Sequence, residues 1–239
     1  MISRLQVKLL RISTGFFYFV VVSFVILVFL PFLRLKIEGK ENIPTRGRFI
    51  LAANHKNFFD GFFLAYATGP HRVAHFVIAK RALNLRFWQL LAWLIGSVEI
   101  GDDIEDYQRA LKKLNRILTH GGIVGIFPEG DISRSELPRK FKGGVAKLSL
   151  DSRTKVLPVY ISGTYNLRHF SYWLSRPKIT LRFGKPVELY NLAPTYNQNL
   201  DQMASLLREK VIELMDVKVM ESKIKSIAEI PLEKTVLKV

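Results

Sequence analysis

The chain has 239 residues and no cysteine, which excludes disulfides, zinc–thiolate sites and a cysteine nucleophile. Lys and Arg number 36 against 20 Asp and Glu, a formal net charge of +16, while 49% of the residues are hydrophobic. Such a balance suits anionic partners, and the high apolar share favours a membrane surface over nucleic acid, for which the chain carries no motif.

In chain order, Arg4, Lys8 and Arg11 come first, and an uncharged run from Ile12 to Leu33 follows. Its length matches the hydrocarbon core of a bilayer. The run is too long for a signal peptide, and no small-x-small cleavage pattern follows it. Residues 1–34 are therefore expected to be a retained membrane-anchoring helical segment. Basic residues flank both ends, so a single crossing and a shallow hairpin lying in one leaflet both stay open.

Residues 35–39 alternate as a first strand, and Phe49–Ala53 is an apolar run that reads as a buried one. Asp60–Ala67 reads as a helix, with Asp60 about one turn into it. Another strand is expected over 72–78, a very apolar helix with Trp88 and Trp93 over 85–95, and a short strand over 96–101. Asp102, Asp103, Glu105 and Asp106 crowd the start of the next helix, where negative charge is stabilising. That helix carries Ile104, Tyr107, Leu111, Leu114 and Leu118 as a buried stripe. A strand over 123–127, a short helix through Leu150, strands over 155–161 and 178–183 and a closing helix over 200–215 complete the pattern. Alternating strands and helices predict an α/β fold with a layered, mostly parallel or mixed sheet flanked by helices. The domain is expected over 35–215, with a basic tail over 216–239.

Two strand ends carry chemistry. After the strand at 49–53, His55 and Asp60 lie five positions apart. A carboxylate there can fix the imidazole's tautomer and leave the other ring nitrogen free as a base. After the strand at 123–127 comes Phe127-Pro128-Glu129-Gly130. Proline stiffens this exit and glycine admits a ligand close to the backbone. Glu129 is then either a fixed site carboxylate or the partner of a nearby lysine. His71 and His75 lack a third ligand, so no metal is expected. His120 reads as a helix-end residue, and the helix with Trp88 and Trp93 as core, acyl-tunnel wall or membrane contact.

Together these motifs resemble the glycerolipid acyltransferase family, of which the bacterial 1-acyl-glycerol-3-phosphate acyltransferases are members. The resemblance covers residues 35–190. It rests on Asn54-His55 through Asp60, on Ala79-Lys80 with Gly96–Asp102, on Phe127–Gly130 with Phe141–Gly144, and on Val156–Val159 with Gly163-Thr164. It implies His55 as general base and Asp60 as its orienting partner. Glu129, Gly130, Arg134 and Lys80 are the expected substrate-binding residues, and Gly130 and the turn after Asn54 are candidate oxyanion donors.

The family's usual arginines are absent at two positions, where Asp102 and Ile132 stand; Arg134 is the expected substitute for binding the acceptor's phosphate, ahead of Lys80. The implied reaction moves a fatty acyl group from acyl-CoA or acyl-carrier protein to the free hydroxyl of a lysophospholipid, by default 1-acylglycerol-3-phosphate. Another lysophospholipid or an aminolipid is the alternative acceptor, and a non-catalytic lipid-binding protein the less favoured alternative. No cofactor is expected. The expected location is the inner membrane, with the site facing the cytoplasm.

Overall fold

The computed structural model describes residues 4–216 except 84, 136, 193, 196 and 198, with side chains outside the description at 4–12, 87, 88, 168 and 170. In order come α1 (Arg4–Phe29), β1 (Arg34–Glu38), β2 (Phe49–Ala53), α2 (Asp60–Thr68), β3 (Ala74–Ala79), α3 (Arg86–Leu94), β4 (Val98–Ile100) and α4 (Ile104–Thr119). They are followed by β5 (Ile123–Ile126), α5 (Gly144–Ser152), β6 (Val156–Ser162), α6 (Phe170–Leu174), β7 (Lys178–Phe183), α7 (Leu189–Leu192) and α8 (Leu200–Ile212). The basic tail expected from 216 on lies, beyond Asp216, outside the described residues.

The strands form one seven-stranded sheet in the order β1-β7-β6-β2-β5-β3-β4. β6, β2, β5, β3 and β4 run parallel; β7 pairs antiparallel with β6, and β1 parallel with β7, so the sheet is mixed. β2 sits at its centre and is buried at every residue. Phe49, Leu51 and Ala53 face a core shared with α1 and α2; Ile50 and Ala52 face a second core shared with α4, α5 and α8. A strand covered on both faces has no polar positions to alternate with, hence its uniformly apolar sequence.

α1 is long and apolar enough to cross a membrane. It is nevertheless not a detached appendage: it packs on α2 and α3. Tyr18, Val22 and Ile26, spaced four apart on one face, are buried there, while Phe16, Phe24 and Leu27 stay exposed. Part of the segment expected to be an anchor thus belongs to the core. Two corrections concern helix starts. Asp60 is the first residue of α2 rather than one turn inside it. Ile104 and Tyr107 are exposed, so the buried stripe of α4 begins further along, with Leu114 and Leu118 fully covered. Ile104 and Tyr107 both line a cavity, which leaves them open to solvent.

Candidate active site

Parallel pairing explains why motifs far apart in sequence meet. Phe49 pairs with Ile123 and Ala52 with Ile126, so β2 and β5 end side by side. Ala79 pairs with Ile100, so β3 and β4 end together next to them. The loops carrying His55, Glu129, Arg81 and Asp102 therefore leave one edge of the sheet, the carboxyl ends where α/β folds bind ligands.

Asn54 fixes the first loop. Its side-chain amide accepts the Ile161 N–H at 2.7 Å and donates to the Ile161 carbonyl at 2.9 Å, continuing the β2–β6 ladder with a side chain. The next residue, His55, turns its ring away from the ladder. Its Nδ1 lies 2.9 Å from Asp60 Oδ2, and the same oxygen accepts the backbone N–H groups of Lys56 at 2.6 Å and Asn57 at 2.8 Å. The Asp60 side chain is wholly buried. A carboxylate gripping its own loop cannot swing, so it sets the ring's orientation, holds the proton on Nδ1 and leaves Nε2 for a substrate. The ring is also stacked on Phe127, with centroids 4.0 Å apart and planes 14° from parallel. Phe127 in turn stacks on Phe76 at 6.0 Å. Gly125 makes room for that ring: a Cβ there would lie 2.3 Å from it.

Glu129, expected from the sequence to bind substrate, is not placed to do so. Its side chain is fully buried. One oxygen accepts the His55 N–H and the other the Arg139 N–H, each at 2.9 Å, and the Arg139 side chain stands 3.6 Å away. It clamps two loops together instead. Gly130 lines the cavity, at a left-handed φ of 78° that suits glycine. Its N–H, an expected oxyanion donor, closes a turn on the Phe127 carbonyl at 3.0 Å. The N–H groups of His55, Lys56 and Asn57 after Asn54 are likewise taken, by Glu129 and Asp60.

His55 opens onto a cavity of about 720 Å³, within the usual range for small-molecule sites. One arm is apolar, walled by Tyr18 and Val22 of α1, Phe62 and Ala65 of α2, and Leu91 and Ile95 of α3. The outer face of α3 exposes Leu90 and Trp93, beside a helix whose own outer face is phenylalanine-rich; Trp93 is thus not a cavity wall, and the Trp88 side chain lies outside the described residues. The rest of the lining is mixed: Arg81, Lys142, Asp102, Asp103, Asp131 and Asp201 share it with Ile104, Tyr107, Leu111 and Leu114 of α4.

The two cations expected at the acceptor are elsewhere. Arg134 is exposed and absent from the lining. Lys80 also misses the lining and is engaged by Asp106. That bond, more than any other, holds the Asp106 carboxyl below the ordinary carboxylate range. The cation that sequence reading missed is Arg81, 2.9 Å from Asp102 and 3.5 Å from Asp131. Its only sequence signal is its place beside Lys80, two residues past the end of β3. His75 bonds the Gly96 carbonyl at 2.6 Å, and His120 bonds the Arg116 carbonyl at 2.7 Å at the end of α4. Among the described residues no group of three or more His, Cys, Asp or Glu could hold a metal.

The family model described as Acyltransferase matches residues 34–162. The 1-acyl-sn-glycerol-3-phosphate acyltransferase of Borreliella burgdorferi is 24% identical over 188 residues, covering 77% of this chain and 72% of that one. The enzyme of the same name from Bacillus subtilis is 22% identical, covering 75% of this chain and 87% of that one. The crystal structure of the 1-acyl-sn-glycerophosphate acyltransferase from Thermotoga maritima shares the fold, with a TM-score of 0.58 at 24% identity over 77% of this chain and 73% of that one.

Proposed function

The chain belongs to the acyltransferase family, and on that premise we propose that it moves a fatty acyl group from a thioester donor, acyl-CoA or acyl-carrier protein, to the free hydroxyl of a lysophospholipid. The first acceptor to offer is 1-acylglycerol-3-phosphate, the one in its relatives' names; the product is then phosphatidate. The observation that carries the reading is the 2.9 Å contact between His55 Nδ1 and the buried Asp60 carboxylate, with the ring at the cavity wall.

Nε2 of His55 takes the hydroxyl proton as the acceptor oxygen attacks the thioester carbonyl. Asp60 stabilises the imidazolium that forms, the orienting role of a triad carboxylate. The tetrahedral intermediate collapses, the C–S bond breaks, and the imidazolium returns its proton to the departing thiolate. The chain offers no cysteine and no G-x-S-x-G elbow, so direct transfer is favoured over an acyl-enzyme. The apolar arm is the proposed seat of an acyl chain. No resident cofactor is needed for these steps.

The outer faces of α1 and α3 fit a lipid surface, and the excess of Lys and Arg fits anionic head groups. Because Tyr18, Val22 and Ile26 are covered by protein, α1 is better suited to lying in one leaflet than to a crossing surrounded by lipid. Donors made in the cytoplasm place the site on that side of the inner membrane. The test is His55→Ala and Asp60→Asn in a lysophosphatidate acylation assay. The His55 change is expected to cost about two to four orders of magnitude in rate, the range for a lost general base; near-normal turnover refutes the mechanism.

A further inference from the structure

An acyltransferase that uses a lysophospholipid needs a group that meets the acceptor's head, and neither Arg134 nor Lys80 lines the cavity. We propose that Arg81 is the residue that selects a phosphate-bearing acceptor, with Asp102 and Asp131 holding its guanidinium until the phosphate displaces them. This rests on the acyl-transfer reading above and names the specificity determinant of the same site.

Arg81 follows β3 and shares the cavity with His55. Its guanidinium bridges two other loops. One nitrogen donates to Asp102 Oδ1, just after β4, at 2.9 Å; another lies 3.5 Å from both Asp131 Oδ2 and the Gly130 carbonyl, after β5. Two carboxylates arriving from separate loops mark the place where this fork donates to anionic oxygens. All three side chains are at least half exposed, so the pairs are weak and exchangeable. A phosphate offers several oxygens to the same planar fork and meets it bidentately. Lys142, the other cation of the lining, is a point charge tucked against Gly130 and cannot make that contact.

Asp102 and the phosphate compete for one guanidinium, which gives the proposal an unusual sign. Removing the aspartate strengthens phosphate recognition; removing the arginine weakens it. The full chain in mixed micelles is offered 1-acylglycerol-3-phosphate and, separately, the corresponding monoacylglycerol. Arg81→Ala is expected to lower kcat/KM for the phosphorylated acceptor about tenfold or more, mainly through KM, and to change the monoacylglycerol value by less than about threefold. Arg81→Lys is expected to recover part of the loss, and Asp102→Asn to lower KM for the phosphorylated acceptor. Equal losses on both acceptors in Arg81→Ala, or a raised KM for the phosphorylated one in Asp102→Asn, overturn the proposal, as does a wild-type enzyme with no preference between the acceptors. Absence of acyl transfer to either acceptor and to a panel of other lysophospholipids and aminolipids sinks the acyl-transfer reading itself, whereas transfer to that panel alone overturns only the assignment of Arg81.

Discussion

The carboxylate of Glu129 takes the backbone N–H of His55 on one oxygen and that of Arg139 on the other, each at 2.9 Å. A residue 74 positions away in sequence thus holds the main chain of His55, while Asp60 holds its ring. Between them the two acids fix His55 at both its main chain and its ring.

Glu129→Gln tests that division. The amide keeps one acceptor oxygen and turns an NH₂ towards a backbone N–H. A buried donor left without an acceptor costs about 1–3 kcal/mol. The expected result is a lower melting temperature and a lower kcat, with the acceptor's KM little changed. A raised KM at unchanged kcat would instead make Glu129 a substrate contact.

Asn54→Ala is expected to act on stability first. The wild-type amide satisfies both the N–H and the carbonyl of Ile161, in a fully buried place. Alanine leaves two polar groups unpaired there, at roughly 1–3 kcal/mol each. Asn54→Asp keeps an acceptor for the N–H but sets an oxygen against the carbonyl, so it rescues only part. Urea unfolding measures both; an unchanged midpoint for the alanine variant means the side-chain ladder contributes nothing.

The features legible in the sequence are those that depend on local spacing. An unbroken apolar run marks β2 as a central strand, and the five-residue step from His55 to Asp60 across a strand-to-helix turn brings the pair together. Partners set by strand order are hidden. Glu129 reads as a cavity carboxylate until β5 is known to lie beside β2, which carries it to the His55 N–H. Lys80 and Arg81 are adjacent in sequence, yet one turns to Asp106 and the other to Asp102 and the cavity. Side-chain direction in the 3-10 turn after β3 decides between them, and spacing does not encode it. The periodicity of α4 holds over its later turns, but no pattern tells that its first turn lines a cavity, which leaves Ile104 exposed.

The Lys80–Asp106 pair makes a pH prediction. Lys80's hydrogen bond, before the nearby charges of Lys80 and Arg109, keeps the Asp106 carboxyl below its ordinary range in the folded chain. A folded pKa lower than the unfolded one contributes stability above the unfolded pKa and loses it as pH falls through the folded value. Asp106→Asn removes that contribution at neutral pH. Its melting temperature should therefore fall less steeply than the wild type's below about pH 4. Parallel acid limbs for the two proteins would show that Lys80 is not held by this charge.

Val22 tests the apolar arm, because it brings α1 into the cavity from a position that is only 1% exposed. A larger side chain there shortens the space for a chain, and a smaller one lengthens it. Val22→Phe should shift preference towards shorter acyl groups, and Val22→Ala towards longer ones. Overpacking commonly costs about 1–3 kcal/mol, so the phenylalanine variant alone cannot separate a shorter cavity from a loosened helix. The opposite shift in the alanine variant does, since loosening α1 would move both variants the same way. Chain-length profiles of acyl transfer, normalised to each variant's best substrate, measure the effect. Should both profiles coincide with the wild type's, the acyl chain lies elsewhere, and α1 contributes to the core and the surface without measuring the chain.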